Sequence, residues 1–207
     1  MEESPSRGEQ TRKAILQAAH DLFVQQGYHG TSMRQIAQRA GIALGGLYNH
    51  FASKEDVFQA VFFTYHPYHE VLPMITESQG NTLDEVVQDA ARRMLEVVEG
   101  RPDFLNLMFI EVVEFKSAHA QQLMVDLLPR GVGILQHISR VGEGQMRPIP
   151  PHIVVRSFLG LFLSYYITDL VFAQASPPEF RQNAMQYFVD IYLHGLLKDP
   201  AALPDSK

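Results

Sequence analysis

The chain has 207 residues, 46% of them hydrophobic, enough to bury a substantial core in one domain or two small ones. It contains no cysteine, which excludes disulfide frameworks and thiolate metal sites and fits a reducing compartment, and its acidic start, MEESPSRGEQ, lacks the basic opening and apolar run of a secretory signal. The net charge of -6 argues against a nucleic-acid partner only as a total: residues 1–54 carry six basic and four acidic side chains, and three of those acids (Glu2, Glu3 and Glu9) lie at the N-terminus, leaving Arg12, Lys13, Arg34, Arg39 and Lys54 nearly unopposed.

Residues 9–26 are predicted to form a first helix, with Ile15, Ala18, Ala19, Leu22 and Phe23 as its buried stripe, Ser6 to Glu9 as a capping box and Gly27 as its end. The stretch TSMRQIAQRAGIALGGLYNHFASK, residues 31–54, then reads as two short helices joined by a tight turn. Thr31 or Ser32 caps the first of these, Gln35 completes a capping box, and Met33, Ile36, Ala37 and Ala40 recur at helical spacing. Gly41 stops it, since glycine takes a left-handed backbone conformation without the steric cost of a side chain. Ile42, Leu47 and Phe51 can pack the second short helix onto the first, where the small Ala37 leaves room. Ser53 is the N-cap of a fourth helix, with Glu55 and Asp56 at its positive end and Val57, Val61 and Phe62 leading on to Pro67.

Residues 81–99 form the next predicted helix, capped by Asn81 or Thr82 and closed by Gly100, with Val86, Val87, Ala90, Met94 and Val97 inside. Helices over 103–116 and 118–140 follow, the latter broken or bent at Pro129. The turn-rich residues 142–151 separate them from a final pair, 152–175 and 178–197, joined by the short Ser176-Pro177-Pro178 connection. No segment alternates with period two, so the predicted class is all-α, with about nine helices. The apolar residues 153–175 carry Arg156, Ser157, Ser164, Thr168, Asp169 and Gln174, too polar for a lipid-facing helix, and no membrane partner is expected.

The larger C-terminal part is rich in aromatic and methionine residues suited to a cavity for an apolar or aromatic molecule. Phe62, Phe63, His66, Met94, Phe104, Met108, Phe115, Tyr165 and Tyr166 are candidates for its walls, with His69, Glu111 and Asp169 as polar anchors. Core packing is the plainer role for most of them. His66-Pro67-Tyr68-His69-Glu70 fits neither zinc-helix spacing, and Pro67 prevents a regular helix through the pair, so neither a metal nor any other cofactor is expected. The last two helices carry apolar residues on more than one face, and Val155, Leu159, Phe162, Met185, Phe188 and Tyr192 are the expected partner surface.

Taken with TRKAILQAAHDLFVQQGYHG upstream and SKEDVFQAVF downstream, residues 9–65 resemble the DNA-binding region of the TetR family of transcriptional regulators. The resemblance implies a three-helix head over residues 9–68, with the helix-turn-helix at about 31–50, and an effector-binding and dimerisation domain over 69–200. It implies a cytoplasmic, non-enzymatic repressor that binds a pseudo-palindromic double-stranded DNA operator as a homodimer and is released by a small effector. It places Thr31, Tyr48, His50 and Lys54 on phosphates with Ser32 and Arg34 beside them, and Ala43, Leu44, Gly45, Gly46 and Asn49 toward base edges in the major groove. Family members often have Ser and Lys after the turn and Thr or Ser before the Leu-Tyr pair. This chain has Ala43, Leu44, Gly45 and Gly46 there, so readout leans on backbone proximity, apolar contact and DNA shape, with Asn49 the one amide suited to adenine. The alternative is an all-α small-molecule-binding or enzymatic protein that does not use this head on DNA.

Overall fold

The computed structural model describes residues 6–68, 70, 71, 73, 77–99, 101, 103–144, 146–172, 177 and 183–196, and the fold they make is built from α-helices. In chain order these are α1 (Arg7–Gly30), α2 (Met33–Arg39), α3 (Leu44–Tyr48), α4 (Lys54–Tyr65), α5 (Leu83–Glu99), α6 (Phe104–Glu114), α7 (Ala118–Val141), α8 (Pro151–Phe172) and α9 (Ala184–Leu196). Two compact units result, one of residues 1–68 and 100–127, the other of residues 69–99 and 128–207.

In the first unit the helix starts follow the sequence signals. Ser6 Oγ accepts the Glu9 amide at 3.3 Å while the Glu9 carboxylate accepts the Ser6 amide at 2.7 Å, and Ser32 with Gln35 repeats this box at α2. Gly27 (φ 74°) interrupts α1 where the sequence placed its end, and Gly41 (φ 70°) makes the left-handed turn between α2 and α3. Ile15, Phe23, Ile36, Ala37, Leu47, Val57, Phe58 and Phe62 bury into one core, each large apolar side chain contributing roughly 1.5–3 kcal/mol.

This unit is larger than the head expected over 9–68. Leu107 of α6 and Leu123 of α7 join the same core, and the corner between those helices lodges Phe115 between Tyr28 and Phe58, at ring distances of 4.9 and 4.7 Å. Helix α7 runs through Pro129 without the predicted break. A proline deletes one amide bond but its fixed φ is itself helical, so the turns on both sides can continue.

In the second unit α5 buries Leu83, Val86, Val87, Ala90, Ala91, Met94 and Val97. Thr82 is its side-chain cap, accepting the Glu85 amide at 3.2 Å, while Glu85 reaches back to the Asn81 amide at 2.7 Å. Helix α9 packs on both α5 and α8, with Phe158 against Tyr192 (5.7 Å) and Tyr165 against Phe188 (5.5 Å). The segment His152–Phe172 of α8 is long and apolar enough by length and composition to cross a membrane, despite Arg156 and Asp169, and little of it is buried. Ser176 and Pro178 of the expected connection lie outside the described residues.

Candidate nucleic-acid interface

Helix α3 is five residues long, too short to be stable alone, and is held by Leu47, which is fully buried. At about 100° per residue, Gly45 and Asn49 lie opposite Leu47 and face outward. Ala43, Leu44, Gly45, Tyr48 and Asn49 are exposed, and Gly46 and His50 are partly so. Ala43 offers no side-chain cap, and two glycines in such a helix cost roughly 1 kcal/mol each against alanine. Beside it, Ser32 and Arg34 are exposed at the start of α2, and Arg12 holds its guanidinium 4.9 Å over the Phe51 ring.

Two side chains expected on phosphates are committed internally. Thr31 is buried, its hydroxyl donating to the Gly27 carbonyl at 2.9 Å. Lys54 donates to the carbonyls of Tyr28 (2.7 Å) and Thr31 (2.8 Å), with its ammonium 4.1 Å over the Tyr28 ring. Burial lowers the Lys54 pKa, against the opposing pull of Glu114. The physical reason is that a helix C-terminus leaves carbonyls without helical partners, and the lysine that opens α4 reaches them. Arg39 is likewise opposed, pairing with Asp21 at 3.1 Å and Gln25 at 3.2 Å, which ties α2 to α1. Tyr28, Asp21 and Phe58 escaped sequence reasoning. Phe58 was legible, one position after Val57 and four before Phe62, whereas the roles of Tyr28 and Asp21 depend on contacts 18 or more residues away.

The expected effector residues divide between the two units. Phe62 is buried in the first core with Phe63 and Met108 packed against it, His66 lies 5.2 Å from both Phe62 and Phe104, and Phe115 fills the α6–α7 corner. Glu111, expected as a polar anchor, is fully buried and accepts the amides of His119 (2.8 Å) and Ala120 (2.9 Å) and the His119 Nδ1–H (2.8 Å). It is the cap of α7, because that helix start has unpartnered amides and no side chain of its own in place to accept them. Met94, Tyr165, Tyr166 and Asp169 belong to the second unit, and His69 lies outside the described residues. An open cavity of about 230 Å³ on α8 and α9 is lined by Leu161, Ser164, Phe188 and Ile191, none of them expected to hold an effector. No group of three metal-ligating side chains occurs among the described residues.

The residues expected to meet a partner differ in exposure. Phe162 and Tyr192 are buried, and Val155, Met185 and Phe188 are half-buried. Tyr192 donates its hydroxyl to the Val154 carbonyl at 2.6 Å, and burial pushes its pKa up to about 12. Leu159 stays exposed, alongside Leu163, Leu170, Val171, Tyr187 and Ile191. The apolar residues exceed what one interhelical seam can cover, and the α8–α9 seam took the largest rings.

Residues 15–61 match the family model described as bacterial regulatory proteins, tetR family. The chain is 39% identical over 61 residues to the HTH-type transcriptional regulator UidR of Escherichia coli, a match covering 30% of this chain, and it spans about a third (31%) of the length of that relative. It is 28% identical over 167 residues to the HTH-type transcriptional repressor KstR2 of Mycolicibacterium smegmatis, covering 70% of this chain and 72% of that one. The solved structure of NalD from Pseudomonas aeruginosa, the secondary repressor of the MexAB-OprM multidrug efflux pump, shares the fold with a TM-score of 0.66 at 21% identity, over 93% of this chain and 99% of that one. Residues 15–61 thus carry a domain of the tetR family of bacterial regulatory proteins, and the chain shares its fold with that solved repressor structure.

Proposed function

We propose that the protein is a transcriptional repressor that binds an operator as a homodimer, with α3 in the major groove. The observation that carries this reading is a short helix whose outward face, Leu44 to Asn49, is bare of internal partners while Leu47 and the Gly41 turn fix its orientation. Ser32, Arg34, Tyr48 and His50 are the phosphate contacts, with Arg12 and Lys13 as flanking cations; Thr31 and Lys54 hold the α1–α2 corner on which those contacts stand. The exposed apolar face of α8 and α9 receives a second copy, and Gly160, where an added Cβ would meet nothing within 4 Å, permits close approach there. Two heads then address half-sites about one DNA turn apart, roughly 35 Å. A small apolar or aromatic effector bound in the C-terminal region weakens that engagement, and by linkage the operator weakens effector binding by the same factor.

Binding of the full chain to its own upstream DNA, followed by fluorescence anisotropy over a range of salt, tests the reading. Saturable binding that weakens with salt and favours one sequence over unrelated duplex supports it. Affinity that is absent, or indifferent to sequence, would assign the head a role other than operator recognition.

A further inference from the structure

Glycines in the first unit divide into two kinds. Gly27 and Gly41 have φ of 74° and 70°, a backbone conformation that L side chains rarely adopt. Gly45 and Gly46 have no such need: their backbone is helical, and a Cβ added to either would meet no atom within 4 Å. Alanine would therefore fit at both positions and would be the better helix former. Nothing inside the fold asks for glycine there.

The pair lies where a partner would press. Gly45 is opposite the buried Leu47 and one turn before Asn49, so the two share the outermost line of α3, while Gly46 precedes His50 by one turn. Exposed Leu44 and Tyr48 flank this strip on one side. We propose that Gly45 and Gly46 are specificity-determining residues of the DNA contact: their bare backbone lets α3 settle closer to the base edges than a helix bearing side chains could, which brings the Asn49 amide and Leu44 within reach. The proposal rests on the operator reading above. It also explains how a recognition helix with few side-chain donors can select sequence, since close approach makes Asn49 and an apolar contact to a thymine methyl usable.

The test uses the full-length protein, its Gly45→Ala and Gly46→Ala variants and the double variant. Melting temperature is measured beside affinity for the duplex that the natural protein enriches from a random pool and for an unrelated duplex. Each alanine is expected to leave the melting temperature equal or higher, to weaken the enriched duplex about tenfold, the order of one lost base contact, and to leave the unrelated duplex and the salt slope unchanged. Undiminished affinity for the enriched duplex overturns the proposal and leaves the operator reading standing. A fall in melting temperature overturns it too, because the fold would then require the glycines. If the natural protein enriches no sequence, both readings fall together.

Discussion

Glu111 has no exposed surface, and a carboxylate in that position is tolerable only because its oxygens accept two backbone amides and the His119 ring. Its place at the start of α7 adds attraction to the positive end of the helix. Replacing it with alanine strands three donors, two of them buried and one half-buried, and urea unfolding is expected to show a loss of about 3 kcal/mol. Glu111→Gln, which keeps an acceptor oxygen, should lose less. Equal stability of both variants with the natural protein would remove the capping role. Lys54 makes a second residue-scale claim. With its ammonium on two carbonyls, Lys54→Met should lower stability by about 1 kcal/mol and leave the salt slope of DNA binding unchanged, whereas Arg34→Ala should lower that slope by about one with stability intact. The reverse pattern would put Lys54 on a phosphate.

At the scale of elements, a side chain of α5 anchors Gln79 in the segment that leads into that helix. Asp89 accepts the Gln79 amide at 2.9 Å, the Arg93 Nε–H at 2.7 Å and the Arg92 guanidinium, and these hold its pKa at about 2, with the Gln79 amide the largest cause. A carboxylate whose folded pKa is depressed contributes stability above its unfolded value, and that contribution disappears as pH falls through the folded one. Asp89→Asn should therefore be less stable than the natural protein at pH 7, with the gap closing between about pH 4 and pH 2 in denaturant midpoints. A gap independent of pH would mean that shape, not charge, fixes the segment. The α6–α7 corner is the other element built by tertiary contact. Lys116 and Ser117 sit at φ of 51° and 65°, and Phe115 docked on Tyr28 and Phe58 keeps them there.

For the whole molecule, the proposed homodimer places a second copy on the uncovered face of α8 and α9. Ile191 is 70% exposed, so Ile191→Glu should give a folded monomer by sedimentation, with affinity for a two-site operator lost. Phe162 is buried, and Phe162→Glu should instead lower the unfolding midpoint of the second unit. A dimer unaffected by Ile191→Glu would place the interface elsewhere.

Local signals alone were enough for the helices: the Ser6, Ser32 and Ser53 caps, the glycines at 27 and 41 and the stripe through Ile15, Leu22 and Ile36 all act within one or two turns of chain. The turn into α3 and the likeness of residues 15–61 to the tetR family domain were legible for the same reason, because the motif is contiguous. Tertiary structure decided what each polar group and aromatic ring did with the freedom left to it. Lys54 turned inward to the Tyr28 and Thr31 carbonyls more than 20 residues away, Glu111 became a cap, and Phe162 and Tyr192 went to the α8–α9 seam while Leu163 and Ile191 stayed outside. Periodicity identifies an apolar residue but not which of several apolar faces its neighbours will cover, since that depends on how helices distant in sequence pack.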